Sequence, residues 1–256
     1  MFGSSNYIKQ GGTRSMMVFH TLRENKPLRE RVYDYLKEQM NGGRLLPGSI
    51  INLQEISKNL GISMTPLREA LVKLEVQGFI TIIPRRGVVL NSLTLPKIKE
   101  IYRVIGALES IALQDFFPHM TEKDVSHLKG LNSQMKDAIK KGNFDDYLNM
   151  NKSFHETWLI GCDNEELYII VKTMKDRLYE FPRNLDLLPE WEEVNLHEHD
   201  MIIKYLEEKD IDKAVYCLRD VHWSYQKQEF YIRQYYAKHL ENMDRRRKNS
   251  INIRTP

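Results

Sequence analysis

Apolar positions follow two different rhythms along this chain. Between Leu28 and Asn91 they come in short groups broken by glycine and proline. Between Pro96 and Asn242 they recur at helical spacing over long segments that hold little glycine. In the first stretch Leu28, Val32, Tyr35, Leu36 and Met40 share one helical face, and Gly42-Gly43 ends that helix. Pro47-Gly48 makes a turn before Ile50-Ile51, a short strand. A second helix starts at Asn52, with Glu55 placed as in a capping box, and stops at Gly61. In the third helix Ser63 or Thr65 is the cap, and Pro66 sits in the first turn, where its missing N–H costs nothing. Leu67, Ala70, Leu71 and Leu74 give it a buried face before Gly78 closes it. Phe79–Ile83 and Val88–Leu90 then read as two strands joined by the turn Pro84-Arg85-Arg86-Gly87.

A helix-turn-helix followed by a hairpin with two arginines at its tip is a winged helix, which predicts DNA binding. The exposed side of the third helix begins with Ser63, Met64, Thr65 and Arg68. Its N-terminus offers free N–H groups and partial positive charge to a phosphate. Arg44, Arg85, Arg86 and Gly87 are further candidates for backbone or minor-groove contact, and Gln54 for contact from the second helix. The alternative is a three-helix packing unit with a solvated hairpin. Capping, turn chemistry and charge placement all argue against it.

After the linker Leu93–Pro96 the pattern predicts six helices. They run over Pro96–Phe117, Glu122–Lys141, Phe144–Ile160, Asn164–Glu180, Pro189–Glu208 and Ile211–Asn242, with caps at Thr121, Asn143 and either Asp163 or Asn164. Short connections make neighbours antiparallel in a bundle. The expected architecture is therefore mostly α: a flexible arm over 1–27, a winged helix-turn-helix over 28–93, an all-helical domain over 96–242 and a basic tail over 243–256. The tail contains Arg245-Arg246-Arg247-Lys248, read as a solvated segment with some phosphate affinity. Met16 and Met17 offer alternative starts.

Charge sharpens the division. The formal net charge is only +3, but 28–91 holds nine basic and six acidic residues, while 92–242 holds 20 basic and 27 acidic. A basic head on an acidic body directs only the head to a polyanion. The two cysteines, Cys162 and Cys217, have no zinc-ribbon spacing and fit a reduced, cytoplasmic setting. The chain shows no apolar run long enough for a membrane span and no signal core at its start.

The region Leu28–Asn91 resembles the DNA-binding domain of the GntR family of bacterial transcription regulators. The resemblance rests on Gly43-Arg44-Leu45-Leu46-Pro47-Gly48, Leu60-Gly61-Ile62-Ser63-Met64-Thr65-Pro66-Leu67-Arg68-Glu69-Ala70-Leu71, Leu74-Glu75, Gly78 and Arg86-Gly87. Met64 and Gln54 stand where the family commonly has arginine. Methionine cannot make a bidentate guanine contact, so an unusual operator is expected. From Pro96 to about Tyr236 the chain resembles the FadR-type, or FCD, effector domain through the spacing of Glu109, His155, Asn164, Leu167, His199 and His222. That resemblance implies a dimerising helical bundle. It also implies a divalent metal held by an aspartate and three histidines beside a small organic acid.

The candidate ligands are Asn151, His155, His199 and His222. Asn151 and His155 lie four residues apart on one helical face, and the other two come from later helices. Asn151 replaces the family's aspartate and brings no charge. Four neutral ligands would leave a zinc-like ion uncompensated and increase its demand for an anionic partner. A lone histidine on a helix is otherwise a satisfied core residue, and His197 points elsewhere on its helix. Arg103, Trp158 and Arg177 are candidate effector contacts. Ile105 occupies the position where many relatives carry an arginine. Together these features predict a homodimeric repressor that binds a palindromic double-stranded operator under control of a small carboxylate. The rivals are a metal-dependent enzyme on the bundle, which lacks a paired base or nucleophile, and an effector-independent DNA binder.

Overall fold

A computed structural model describes residues 26–42, 44–179 and 188–236. The expected arm, the basic tail and the last residues of the final expected helix lie outside these. The chain divides into two compact units at Ser92–Leu93.

In the first unit, α1 (Leu28–Asn41) buries Val32, Tyr35, Leu36 and Met40. The next helix, α2 (Leu53–Leu60), is capped by the Asn52 side chain, which accepts the Glu55 N–H at 3.2 Å. It ends at Gly61, whose φ of 64° is the left-handed conformation that favours glycine. Then α3 (Met64–Val76) buries Leu67, Ala70, Leu71 and Leu74. Of the two expected caps, Ser63 rather than Thr65 takes the N-cap position, in extended conformation, but its side chain makes no capping hydrogen bond. The leading N–H groups of α3 are left for an external acceptor.

Strands β1 (Ile50–Ile51), β2 (Ile80–Ile83) and β3 (Gly87–Leu90) form an antiparallel sheet in the order β1-β3-β2. Val88 lies opposite both Ile51 and Ile82. Glu75 Oε1 accepts the Ile82 N–H at 2.6 Å, which ties the hairpin to α3. At the hairpin tip Arg85 has φ 61°.

The second unit is helical. It comprises α4 (Leu95–Phe116), α5 (Glu122–Lys140), α6 (Phe144–Gly161), α7 (Glu165–Tyr179), α8 (Pro189–Glu207) and α9 (Ile211–Tyr216), with a final helix, α10, over 225–236. Thr121 makes a complete capping box with Asp124. Asn143 caps α6, and Asn164 rather than Asp163 caps α7, accepting the Leu167 N–H at 3.0 Å. The core joins Ile105, Leu128, Met135, Phe154, Trp158, Val171, Ile202, Leu218 and Ile232.

The single helix expected from Ile211 onward is not formed. After α9 the chain takes a six-residue π turn, Cys217–His222, and the helix restarts at Tyr225. The Trp223 N–H reaches back to the Leu218 carbonyl at 3.0 Å, the wide hydrogen-bond step of a π turn. Packing selects this conformation. Trp223 lies so close to Gly106 on α4 that a Cβ there would come within 2.8 Å of the Trp223 Cβ. The extra residue in the turn aims His222 inward.

Candidate metal centre and nucleic-acid interface

Three elements converge on one point in the bundle. Helix α6 carries Asn151 and, one turn later, His155; α8 carries His199; the π turn carries His222. All four are buried, His199 completely. One ligating atom from each histidine lies within 4.8 Å of the others. Phe154 stacks on His199 with ring centroids 4.1 Å apart and seals one side.

Two carboxylates orient two of the rings. His155 Nδ1 is 2.7 Å from Glu109 Oε2, and His222 Nδ1 is 2.8 Å from Glu198 Oε2. An ionised carboxylate only accepts, so each Nδ1 carries the proton and each Nε2 keeps its lone pair. Further donors hold the carboxylates. Trp158 Nε1 donates to Glu109 Oε2 at 3.2 Å, and Lys175 Nζ lies 2.5 Å from Glu109 Oε1. Gln228 Nε2 donates to Glu198 Oε1 at 2.8 Å, and Trp191 Nε1 donates to Gln228 Oε1 at 2.8 Å.

Burial lowers the pKa of His155 to about 3 despite the pull of Glu109. Burial also lowers that of His199 well below the usual value, reinforced by the neighbouring histidines. Both rings are therefore neutral at pH 7, as metal ligands must be. Burial opposes ionisation of Glu109, but the Lys175 ammonium and the hydrogen bond from His155 Nδ1–H outweigh it and hold the carboxyl below its ordinary value.

Asn151 Oδ1, His155 Nε2 and both nitrogens of His199 have no hydrogen-bond partner. A buried polar atom left unpaired costs about 1–3 kcal/mol. The three imidazoles form a donor set suited to a divalent ion such as zinc, and Asn151 offers an amide oxygen one helical turn from His155. The expectation that the ion's charge stands uncompensated is corrected here: Glu109 and Glu198 supply negative charge one hydrogen bond behind the rings, partly offset by Lys175.

Of the candidate effector contacts, Trp158 is fully buried and braces Glu109. Arg103 is exposed on α4 and lines a surface cavity of about 300 Å³ with Arg219 and Trp223. Arg177 is half-buried, and burial depresses its guanidinium against the pull of Glu100. The cation beside the histidines is instead Lys175, which the sequence reading missed, as it missed Glu198 and Gln228. Lys175 was legible as a charge in the apolar stripe Leu167, Val171, Lys175, Leu178. Glu109 interrupts the stripe Ile101, Ile105, Leu113 in the same way.

In the winged unit Arg44, Gln54, Ser63, Thr65, Arg68, Arg85 and Arg86 are exposed, and Gly87 is half-buried. Among the described residues Arg68, Arg85 and Arg86 have no carboxylate partner, whereas Arg44 is 4.0 Å from Glu38. Met64 is half-buried and packs against the core of this unit, so only part of it is available to DNA.

Two family descriptions match in tandem: "Bacterial regulatory proteins, gntR family" over residues 28–90 and "FCD domain" over 100–222. The HTH-type transcriptional regulator YdhC of Bacillus subtilis is 28% identical over 71% of this chain and 82% of its own length. The HTH-type transcriptional regulator McbR of Escherichia coli is 25% identical over 75% of this chain and 87% of its own. The Bacillus subtilis gluconate operon transcriptional repressor is 28% identical over 70% and 76%. The solved structure of E. coli McbR/YncC superposes with a TM-score of 0.61 at 22% identity, covering 82% of this chain and 99% of that one, which supports the shared fold.

Proposed function

The chain belongs to the GntR family of bacterial transcription regulators and carries an FCD effector-binding domain, and from that membership we propose a homodimeric, metal-assisted repressor that releases its operator in response to a small carboxylate. Regulators of this family are not enzymes. The observation that carries the reading is the buried trihistidine cluster in which His155 Nε2 and both nitrogens of His199 have no hydrogen-bond partner.

Asn151, His155, His199 and His222 would hold the ion. A bound divalent cation would supply Lewis acidity toward an anionic group. Glu109 and Glu198 fix the rings and their tautomers, and Phe154 excludes water from one side. The ligand histidines come from α6, α8 and the π turn, so occupancy of the centre ties together elements distant in sequence. That tie gives the effector purchase on the bundle's conformation. On the DNA side, Arg68 and the open start of α3 meet the operator, with Ser63, Thr65 and Gln54 beside them. Arg44, Arg85, Arg86 and the backbone at Gly87 meet flanking phosphates or a minor groove.

A second copy of the chain suits the helical unit. Val104 and Ile111 on α4 and Ile169 and Ile170 on α7 are large apolar side chains left exposed. Two copies present two recognition helices to half-sites about one helical turn apart.

The test is selection of bound fragments from a genomic library, followed by binding measurements with zinc and a panel of small acids. A two-fold symmetric motif whose affinity falls with an acid and zinc together supports the reading. Acid-independent binding would favour the effector-free alternative, and a monomer by light scattering with and without DNA would defeat the dimer.

A further inference from the structure

We propose that Lys175 is the residue that makes the centre select an anion: its ammonium holds the carboxylate group of the effector beside the three histidines. The inference rests on the metal-linked reading above and deepens it.

The lysine is only 9% exposed and interrupts the buried stripe of α7. Its Nζ lies 2.5 Å from Glu109 Oε1 and 5.1 Å from the Trp223 ring centroid. That ring is in turn 5.6 Å from His155 and 5.3 Å from His222, centroid to centroid. The ammonium is thus held between Glu109 and Trp223, each of which also meets His155.

Balancing Glu109 alone does not account for it. The other oxygen of Glu109 already accepts from His155 and Trp158. An ammonium carries three N–H donors. Among the described residues one carboxylate and one aromatic face meet this one.

An ammonium paired with one carboxylate can take a second, so a carboxylate bound at the centre meets Lys175 as a charged partner. A neutral ligand forms no ion pair with the lysine. The chemical class is therefore a small acid that presents a carboxylate to the centre.

The experiment uses the full-length protein loaded with cobalt(II), whose visible spectrum reports ligands at the metal. Acetate is the anionic probe and imidazole the neutral one. Lys175→Met should raise the half-saturating acetate concentration at least tenfold and leave that of imidazole unchanged. The double variant Lys175→Met/Glu109→Gln removes the buried pair as a unit and keeps the interior charge balanced. It should remain as weak toward acetate as the single variant. Acetate binding unchanged in Lys175→Met, or restored in the double variant, would reduce the lysine to a partner of Glu109 and overturn the proposal. Failure of the wild-type chain to take up cobalt would defeat the metal reading itself, a different result from cobalt uptake that ignores Lys175.

Discussion

His222 Nδ1 lies 2.8 Å from Glu198 Oε2, and Glu198 immediately precedes His199. One short stretch of α8 thus supplies both a candidate ligand and the carboxylate that orients another ligand from the π turn. Replacing Glu198 by Gln keeps the shape but removes the carboxylate that orients the His222 ring. Zinc affinity, measured by competition with a chromophoric chelator, should fall about 10–100-fold. An unchanged affinity would mean that His222 is not a ligand.

Gly106 is far from Glu198 in sequence but acts on the same turn. A methyl group there would press on Trp223 at 2.8 Å and displace the segment that aims His222. Gly106→Ala should cost about 1–3 kcal/mol, the usual penalty of an overpacked core. It should also weaken zinc binding, while leaving DNA binding by the winged unit intact. Denaturant melts and chelator competition on one preparation separate these effects.

The buried histidines set a pH dependence of the metal-free protein. The pKa of His155 is lowered from 6.5 to about 3 and that of His199 also falls. Below pH 6.5 the unfolded chain binds protons that the folded chain refuses. Stability is therefore full above pH 6.5 and is lost as the pH falls toward the folded values, by about 1.4 kcal/mol per unit for each such histidine. Melting temperatures of stripped protein should drop between pH 7.5 and 5.5. The drop should shrink in His199→Phe, whose ring keeps the stack on Phe154.

On the DNA side, Arg68→Ala should weaken operator binding by about 1–3 kcal/mol if the side chain reads a base. If it meets a phosphate, specific and nonspecific affinity should fall together and the salt dependence should flatten. Fluorescence anisotropy at several salt concentrations distinguishes these outcomes. Equal binding by both proteins to both DNA classes would show that α3 is not the reader.

The winged unit was legible because its signals are local. Asn52 caps the helix it precedes, Gly61 and Gly78 close helices within one turn, and Arg85-Arg86-Gly87 sits in a hairpin fixed by the β-branched residues on either side. The helical periodicity of the second half gave its elements, and the resemblance to the FCD domain pointed His155, His199 and His222 to a shared site. The sequence could not supply what depends on packing between segments far apart. The π turn exists because Trp223 meets Gly106 across the bundle, and local periodicity continues a plain helix through it. Glu198 looks like an ordinary helix charge until the tertiary structure buries it, and Lys175, a visible break in an apolar stripe, has no evident partner until then. Burial makes an unpaired charge costly, so these residues acquire defined partners, and those partners convert three scattered histidines into an oriented centre with an ammonium beside it.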